Sequence, residues 1–286
     1  MARIAYVDGR YLPLDTPAIC IEDRGYQFAD AIYEVWAVRD GRLIDSDGHF
    51  RRMARSLAEL KIERPMSDAA LGVILRQIVR RNRLSAGLVY LQISRGVALR
   101  DHPFPADVRP VVVVTGRPVS LANALRRGEY GISVSIQPDI RWGRCDIKTV
   151  GLLPNVLGKQ AALDAGANEV WFERPGGVIT EGGSTNAWIV DATGVLRTAP
   201  ETDNILRGVT RATVLRLAGL AGVEVEERAF TREDLAHAKE AFMTSANAFV
   251  TPVVQVDGRP VGDGTPGPVT RALREAYRAA AADGLG

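Results

Sequence analysis

Arg141-Trp142-Gly143-Arg144-Cys145-Asp146-Ile147-Lys148-Thr149-Val150-Gly151-Leu152-Leu153-Pro154-Asn155 is the stretch on which the reading turns, and Lys148 is its centre. Of the 36 basic side chains, only Lys61, Lys148, Lys159 and Lys239 are lysines. Arginine serves for solubility and anion pairing, but only lysine yields a neutral amine able to form an imine. The spacing predicts an extended run over residues 132–148 and a helix over 154–165, which puts Lys148 at a strand-to-helix junction. Reactive side chains are often displayed at such junctions. Hemmed in by Trp142 and Ile147 and near Arg144, its amine would lose solvation and become a nucleophile. The same residues also describe a partly exposed lysine paired with Asp146.

Outward from there, 286 residues suffice for one large domain or two ordinary ones. Apolar content of 46% and charged content of 24% are those of a globular protein. A net charge of +2, with scattered basic residues, gives nucleic acid no footprint. No apolar run approaches the roughly 20 residues of a membrane span, and Met1-Ala2-Arg3-Ile4-Ala5-Tyr6-Val7 does not read as a signal peptide. Cys20 and Cys145 make no disulfide framework, and three scattered histidines argue against zinc. The expected location is cytoplasmic.

Along the chain, hairpins are predicted over 4–14, turning at Asp8-Gly9, and over 33–44, turning at Asp40-Gly41. Residues 49–60 and 67–83 carry helical apolar spacing. Strands follow at 87–95 and 110–115, the second a four-valine run suited to full burial. Arg117-Pro118-Val119-Ser120-Leu121 reads as a crossing between domains. Further strands are expected at 169–172, 187–190, 195–198, 223–229 and 241–244, and helices at 208–220, 232–237 and 268–282. Strands outnumber helices without βαβ alternation, so the class is α+β. The division is a small N-terminal domain (1–117), a linker (118–125) and a larger C-terminal domain (126–286) carrying the lysine.

Several weaker features join Lys148. Gly208-Val209-Thr210 opens a helix whose N–H groups, with the Thr210 hydroxyl, suit a phosphate; an ordinary helix start looks the same. His49 and Arg52 share a helix face at i, i+3. Arg100-Asp101-His102 sets a guanidinium and an imidazole two residues apart, able to grip a carboxylate or simply to sit in an exposed loop. Glu181 precedes Gly182-Gly183-Ser184-Thr185-Asn186, small residues that let a ligand approach closely.

Together these residues place the chain by resemblance. Glu22-Asp23-Arg24-Gly25-Tyr26-Gln27-Phe28, Tyr33-Glu34-Val35, Arg100-Asp101-His102, Asp146-Ile147-Lys148, Thr180-Glu181-Gly182 with Asn186, and Leu206-Arg207-Gly208-Val209-Thr210 come in one order. That order resembles bacterial D-amino-acid aminotransferases, in the fold-type-IV group of pyridoxal-phosphate enzymes, over nearly the whole chain. The resemblance implies a small N-terminal α/β domain and a larger β-barrel-like C-terminal domain, with pyridoxal 5'-phosphate as cofactor. Lys148 would be its Schiff-base lysine and the proton shuttle. Glu181 would hold a proton on the pyridine nitrogen, keeping the ring an electron sink. Arg52, Val209 and Thr210, assisted by Ser245, would hold the phosphate, and Leu206 would pack on the ring face. Tyr33, with Arg100 and His102 from a partner chain, would trap the substrate carboxylate, which implies a homodimer.

Two positions depart from the pattern. Ala246 stands where a second hydroxyl residue commonly follows Ser245, and Gly183 replaces a frequent serine. The expected reaction is transamination between a D-amino acid such as D-alanine and a 2-oxo acid such as 2-oxoglutarate. On the same scaffold stand an L-branched-chain aminotransferase, an (R)-amine transaminase and an aminodeoxychorismate lyase, with a non-catalytic cofactor carrier outside the enzyme class. The Arg-x-His pair argues against an amine, which has no carboxylate to hold.

Overall fold

Alternation in Ala31–Arg39 sets up the first sheet: Ile32, Glu34, Trp36 and Val38 are buried, while Tyr33 and Val35 are half-buried. The computed structural model describes residues 3–16 and 18–283. The chain divides into two units, the described residues up to Ser120 with Ile147–Gly151, and Leu121–Asp146 with the described residues from Leu152 on.

In the first unit the elements are β1 (Ile4–Val7), β2 (Arg10–Pro13), α1 (Arg24–Phe28), β3 (Ala31–Arg39), β4 (Arg42–Leu43), α2 (Ser46–Glu59), α3 (Asp68–Arg81), β5 (Ala86–Ser94) and β6 (Val111–Pro118). The strands form an antiparallel six-stranded sheet in the order β2-β1-β6-β5-β3-β4. Met53 and Leu57 of α2, with Leu71, Ile74, Leu75 and Ile78 of α3, join Ile32, Trp36, Val89, Leu91, Val112 and Val114 in one core. Each such aliphatic side chain contributes about 1.5–3 kcal/mol on full burial. The four-valine run is not buried throughout. Val112 and Val114 face the core and Val111 and Val113 do not, because helices cover this antiparallel sheet on one side.

Lys148 falls in this first unit, not in the C-terminal part expected to carry it. Its carbonyl accepts the Tyr33 N–H (2.9 Å), the Val150 N–H donates to Ala31 O (3.2 Å), and Ile32 and Thr149 form an antiparallel bridge. Residues 147–151 thus extend the β3 ladder rather than a strand of their own.

The second unit holds α4 (Leu121–Tyr130), β7 (Ile132–Pro138), α5 (Leu153–Asp164), β8 (Glu169–Arg174), β9 (Val178–Gly182), β10 (Asn186–Val190), β11 (Leu196–Thr198), α6 (Val209–Leu220), β12 (Val225–Glu226), β13 (Phe230–Thr231), α7 (Arg232–Ala236), β14 (Glu240–Ser245), β15 (Phe249–Val256), β16 (Arg259–Pro260) and α8 (Pro268–Asp283). Strands β10, β14, β15, β7, β8 and β9 run in sequence, and the Asn186–Glu181 pairing returns β9 to β10. The result is a closed, six-stranded, barrel-like ring, which removes free edges. Ile132, Val134, Ile136, Trp171, Ile179, Ile189, Met243 and Val253 belong to its core.

The strand expected over 132–148 stops at Pro138, with one further backbone bond from the Asp139 N–H to Glu173 O (2.8 Å). One βαβ crossover, β7-α5-β8, joins two parallel strands where no such alternation was expected. The boundary between units follows Ser120, and most of the presumed 118–125 linker is the first turn of α4. These features leave the α+β class intact.

Candidate active site

In the first unit, Lys148 is half-buried, its Nζ 4.0 Å from the centre of the Tyr33 ring. Among the described residues the ammonium makes no ion pair. Tyr33 in turn stacks on Tyr90 (centroids 5.6 Å, interplanar angle 27°). The Tyr90 hydroxyl donates to Gln92 Oε1 (2.8 Å), and burial, with Tyr33 nearby, pushes its pKa up to about 12. Neighbouring strands therefore hold an amine and a phenol ring in register.

Arg52 lies one turn along α2 from His49, and both meet Glu34. Arg52 Nε and Nη2 donate to Glu34 Oε1 and Oε2 at 2.8 and 2.7 Å, and His49 Nδ1 lies 2.7 Å from Oε2. The Glu34 side chain is wholly buried. Burial works to raise its pKa, yet the charge and hydrogen bonds of Arg52, with the bond and charge of His49, bring it down to about 2. His49 is held below its ordinary value, chiefly by burial. Glu34 was not singled out from sequence as a site residue, although its place on the buried face of β3 marked it as anomalous.

Arg100 and His102 sit in an exposed loop. Both rest on Phe28, the guanidinium 4.5 Å above the ring and the imidazole with its centroid at 5.5 Å. The structure brings these two together, as it does Lys148 with Tyr33 and Arg52 with His49.

Glu181, in the second unit, is buried at the end of β9. Its oxygens accept the Leu206 N–H at 3.1 and 3.0 Å, the Asn186 amide at 3.0 Å, and Arg141 Nη1. Arg141 also binds Asp139 through Nε (2.9 Å) and Nη2 (3.0 Å), and reaches Thr180 Oγ1 (3.2 Å) and Asn204 O (3.1 Å). Burial would raise the Asp139 pKa, but the Arg141 hydrogen bonds and charge, with help from Arg174, lower it. Burial works against the charged form of Arg141, yet its two carboxylate partners raise its pKa on balance. Glu181 is thus held by Arg141, which Asp139 orients in turn, by Asn186 and by the Leu206 N–H, and the sequence reading gives Asp139, Arg141 and Asn186 no such part. Arg144, expected to act on Lys148, spends its charge on Asp146 through bonds of 2.9 and 3.0 Å.

Leu206 is fixed by its backbone, its N–H on Glu181 and its carbonyl accepting the Asn186 amide at 3.0 Å. Gly208 then caps α6 without a side chain of its own; a Cβ there would overlap the Asn186 amide oxygen. The N–H groups of the first turn, from Val209 and Thr210 on, meet no side-chain cap. Ser245 ends β14, its Oγ accepting the Ala248 N–H at 3.1 Å, and Ala246 follows in the turn.

Residues 31–256 match the amino-transferase class IV family, and the chain belongs to it. It is similar to the D-alanine aminotransferase of Bacillus licheniformis, with 39% identity over 95% of this chain and 94% of that one. Among solved structures it is similar to the branched-chain amino acid aminotransferase of Escherichia coli, with a TM-score of 0.89, 26% identity and coverage of 98% and 95%. The corresponding T.th. enzyme, complexed with N-(5'-phosphopyridoxyl)-L-glutamate, gives a TM-score of 0.87 at 27% identity, covering 99% and 95%.

The residues present fit pyridoxal phosphate. An uncapped helix start at Gly208 suits a dianionic phosphate, Lys148 is an amine with no ion pair among the described residues, and Glu181 is a carboxylate fixed by three donor groups. Pyridoxal phosphate has one chemical counterpart for each: a phosphate, an aldehyde and a basic ring nitrogen.

Proposed function

We propose that this aminotransferase moves the amino group of a D-amino acid such as D-alanine to a 2-oxo acid such as 2-oxoglutarate. The observation that carries this is the paired presentation of Arg100 and His102 on Phe28, together with the similarity to a D-alanine aminotransferase. A guanidinium and an imidazole side by side are suited to a carboxylate. That is a group an amine substrate lacks.

When bound, pyridoxal phosphate supplies the electron sink that stabilises negative charge at the substrate Cα. Lys148 Nζ would hold the cofactor covalently and would take and return the proton at the substrate Cα. The Tyr33 ring beside Nζ restricts where that proton is delivered. Glu181, steadied by Arg141, Asn186 and the Leu206 N–H, would keep a proton on the ring nitrogen, and Leu206 would pack against the ring. Arg52, its fork oriented by Glu34, holds the phosphate with Val209, Thr210 and Ser245, while Ala246 adds only its backbone. Tyr33, with Arg100 and His102 of a second copy, grips the substrate carboxylate, so the working form is a homodimer. No helix among the described residues is long and apolar enough to cross a membrane.

Lys148 would serve one face of the substrate Cα, so the side on which the carboxylate is gripped decides the hand of the product. A panel of D- and L-amino acids against 2-oxoglutarate, with Lys148→Ala as blank, tests the reading. D-alanine, and not L-alanine, should bleach the visible band. Arg100→Ala should cripple D-alanine turnover and leave that band in place. The backbone likeness to branched-chain aminotransferases, at 26% identity, supports the L-branched-chain alternative only weakly. Turnover of L-leucine without D-alanine would establish that alternative.

A further inference from the structure

Helix α1 and the motif that builds it take no part in the chemistry above, yet the carboxylate-gripping loop is fastened to them. We propose that Arg24 and Phe28 of α1 are the positioning residues of the Arg100–His102 loop. This inference rests on the role proposed for that loop.

Asp23 starts the helix, accepting the Gly25 N–H (2.8 Å) and the Ser94 hydroxyl (2.8 Å). Position 25 must be glycine, since a Cβ would press on Ser94 Cβ and the Asp23 carboxylate. Arg24 and Phe28 stand at i, i+4 and so share a face of the short helix. Arg24 is buried, 3% exposed. Its Nη1 donates to Asp101 O (2.6 Å), and its Nη2 to His102 O (3.3 Å). Thus one guanidinium fork holds the backbone at two successive residues of the loop.

The third donor of that fork, Nε, binds Asp30 Oδ2 (2.8 Å). Asp30 also receives Arg95, through Nε (2.7 Å) and Nη2 (2.9 Å). Arg95 in turn ties down Leu60 O (2.7 Å) and Lys61 O (2.9 Å) and lies 3.6 Å over the Phe104 ring. The far end of the loop is anchored to the same carboxylate. Backbone placement by Arg24 and side-chain placement by Phe28 together hold Arg100 and His102 side by side. A surface loop carrying two rotamer-rich side chains does not otherwise keep such geometry. Misplacement by about 1 Å can cost a catalytic group up to about 100-fold.

The experiment compares Arg24→Gln, Arg24→Lys, Arg100→Ala and the Arg24→Lys/Arg100→Ala double variant as holoenzymes. Two readouts are taken: hydrogen exchange of the peptide spanning residues 99–107, and kcat and KM for D-alanine. Arg24→Lys retains a charge for Asp30 but reaches at most one of the two carbonyls, so it serves if Arg24→Gln fails to fold. Expected are faster exchange in the loop alone, a KM raised about tenfold or more, and kcat within about twofold of wild type. In the Arg100→Ala background, Arg24→Lys should raise KM by clearly less than it does alone, the remainder acting through His102, whereas a merely structural role would remain fully additive. Unchanged loop exchange, or an additive double variant, overturns the inference. Faster exchange with an unchanged KM, in Arg24→Lys and Arg100→Ala alike, instead overturns the carboxylate role assigned to the loop and with it the catalytic meaning of Arg24.

Discussion

Replacing Glu34 by Gln removes one charge from the most deeply buried ionic cluster in the first unit. Glu34 is lowered from 4.5 to about 2, and each pKa unit corresponds to about 1.4 kcal/mol, so its ionised form contributes about 3 kcal/mol. The substitution also leaves the buried Arg52 guanidinium facing a neutral amide. Breaking one side of a buried pair costs about 3–5 kcal/mol, and both routes therefore predict a loss of about 3 kcal/mol at neutral pH. The sign follows from the depressed pKa. The contribution is complete above pH 4.5 and is lost as pH falls toward 2, about half of it remaining near pH 3. Urea unfolding of wild type and Glu34→Gln at pH 7 and pH 3 measures it, the other carboxylates cancelling in the difference. Hydrogen exchange of α2 locates the effect, because His49 and Arg52 both lie on that helix. A gap between the two proteins that stays constant from pH 7 to pH 3 would refute the reasoning, as would no gap at all.

His49 is held below its ordinary pKa, chiefly by burial. Wild-type stability should therefore decline as pH drops below 6.5, and His49→Gln should flatten that slope in urea midpoints taken between pH 7 and 5.5. Arg141→Met strands Asp139 and Glu181; a stability loss of about 3–5 kcal/mol is expected, with a weakened visible band when the variant is titrated with pyridoxal phosphate. Gly208→Ala drives a methyl into the Asn186 amide, costing about 1–3 kcal/mol by overpacking. The same variant should raise the dissociation constant for pyridoxal phosphate in a fluorescence titration, and an unchanged constant would separate α6 from the phosphate.

Where apolar periodicity and burial agree, the fold was readable in the residues. Met53, Leu57, Leu71, Leu75 and Ile78 all fall on the inner faces their spacing predicts. The overlong strand shows how the same signal misleads. Ile132, Val134 and Ile136 alternate into the core, and the period continues through Ile140 and Trp142, yet these two are 60% and 44% exposed. Nothing local marks the change except Pro138. Helix α4 was passed over because Arg117-Pro118 reads as a break and Leu125 is left 40% exposed, so its apolar stripe is faint. Scarcity draws attention to Lys148 but leaves a pairing with Asp146 open, and the part assigned to it comes from the resemblance. The groups that hold Glu181 were not legible, because Arg141 and Glu181 lie 40 residues apart and meet only through the pairing of β7, β8 and β9.

The handedness of the reaction poses a sharper form of the same question. A backbone closely similar to that of a branched-chain aminotransferase complexed with an L-glutamate adduct is combined here with a sequence closer to a D-alanine aminotransferase. Whatever selects the hand is therefore not carried by the ring of strands or by the six-stranded sheet. On the site proposed above, it resides in the side chains that would set the substrate carboxylate relative to Lys148, and those fall into two groups. Tyr33 is tied to the lysine by its N–H on Lys148 O (2.9 Å) and by its ring, 4.0 Å from Nζ. Arg100 and His102 hang from α1 through Arg24 and Phe28 and are released from that constraint. A change of hand on this scaffold is then achieved most simply by replacing a surface loop, provided its anchor is replaced too. A loop transplanted without an arginine and an aromatic ring at positions 24 and 28 would bring the right groups in the wrong place.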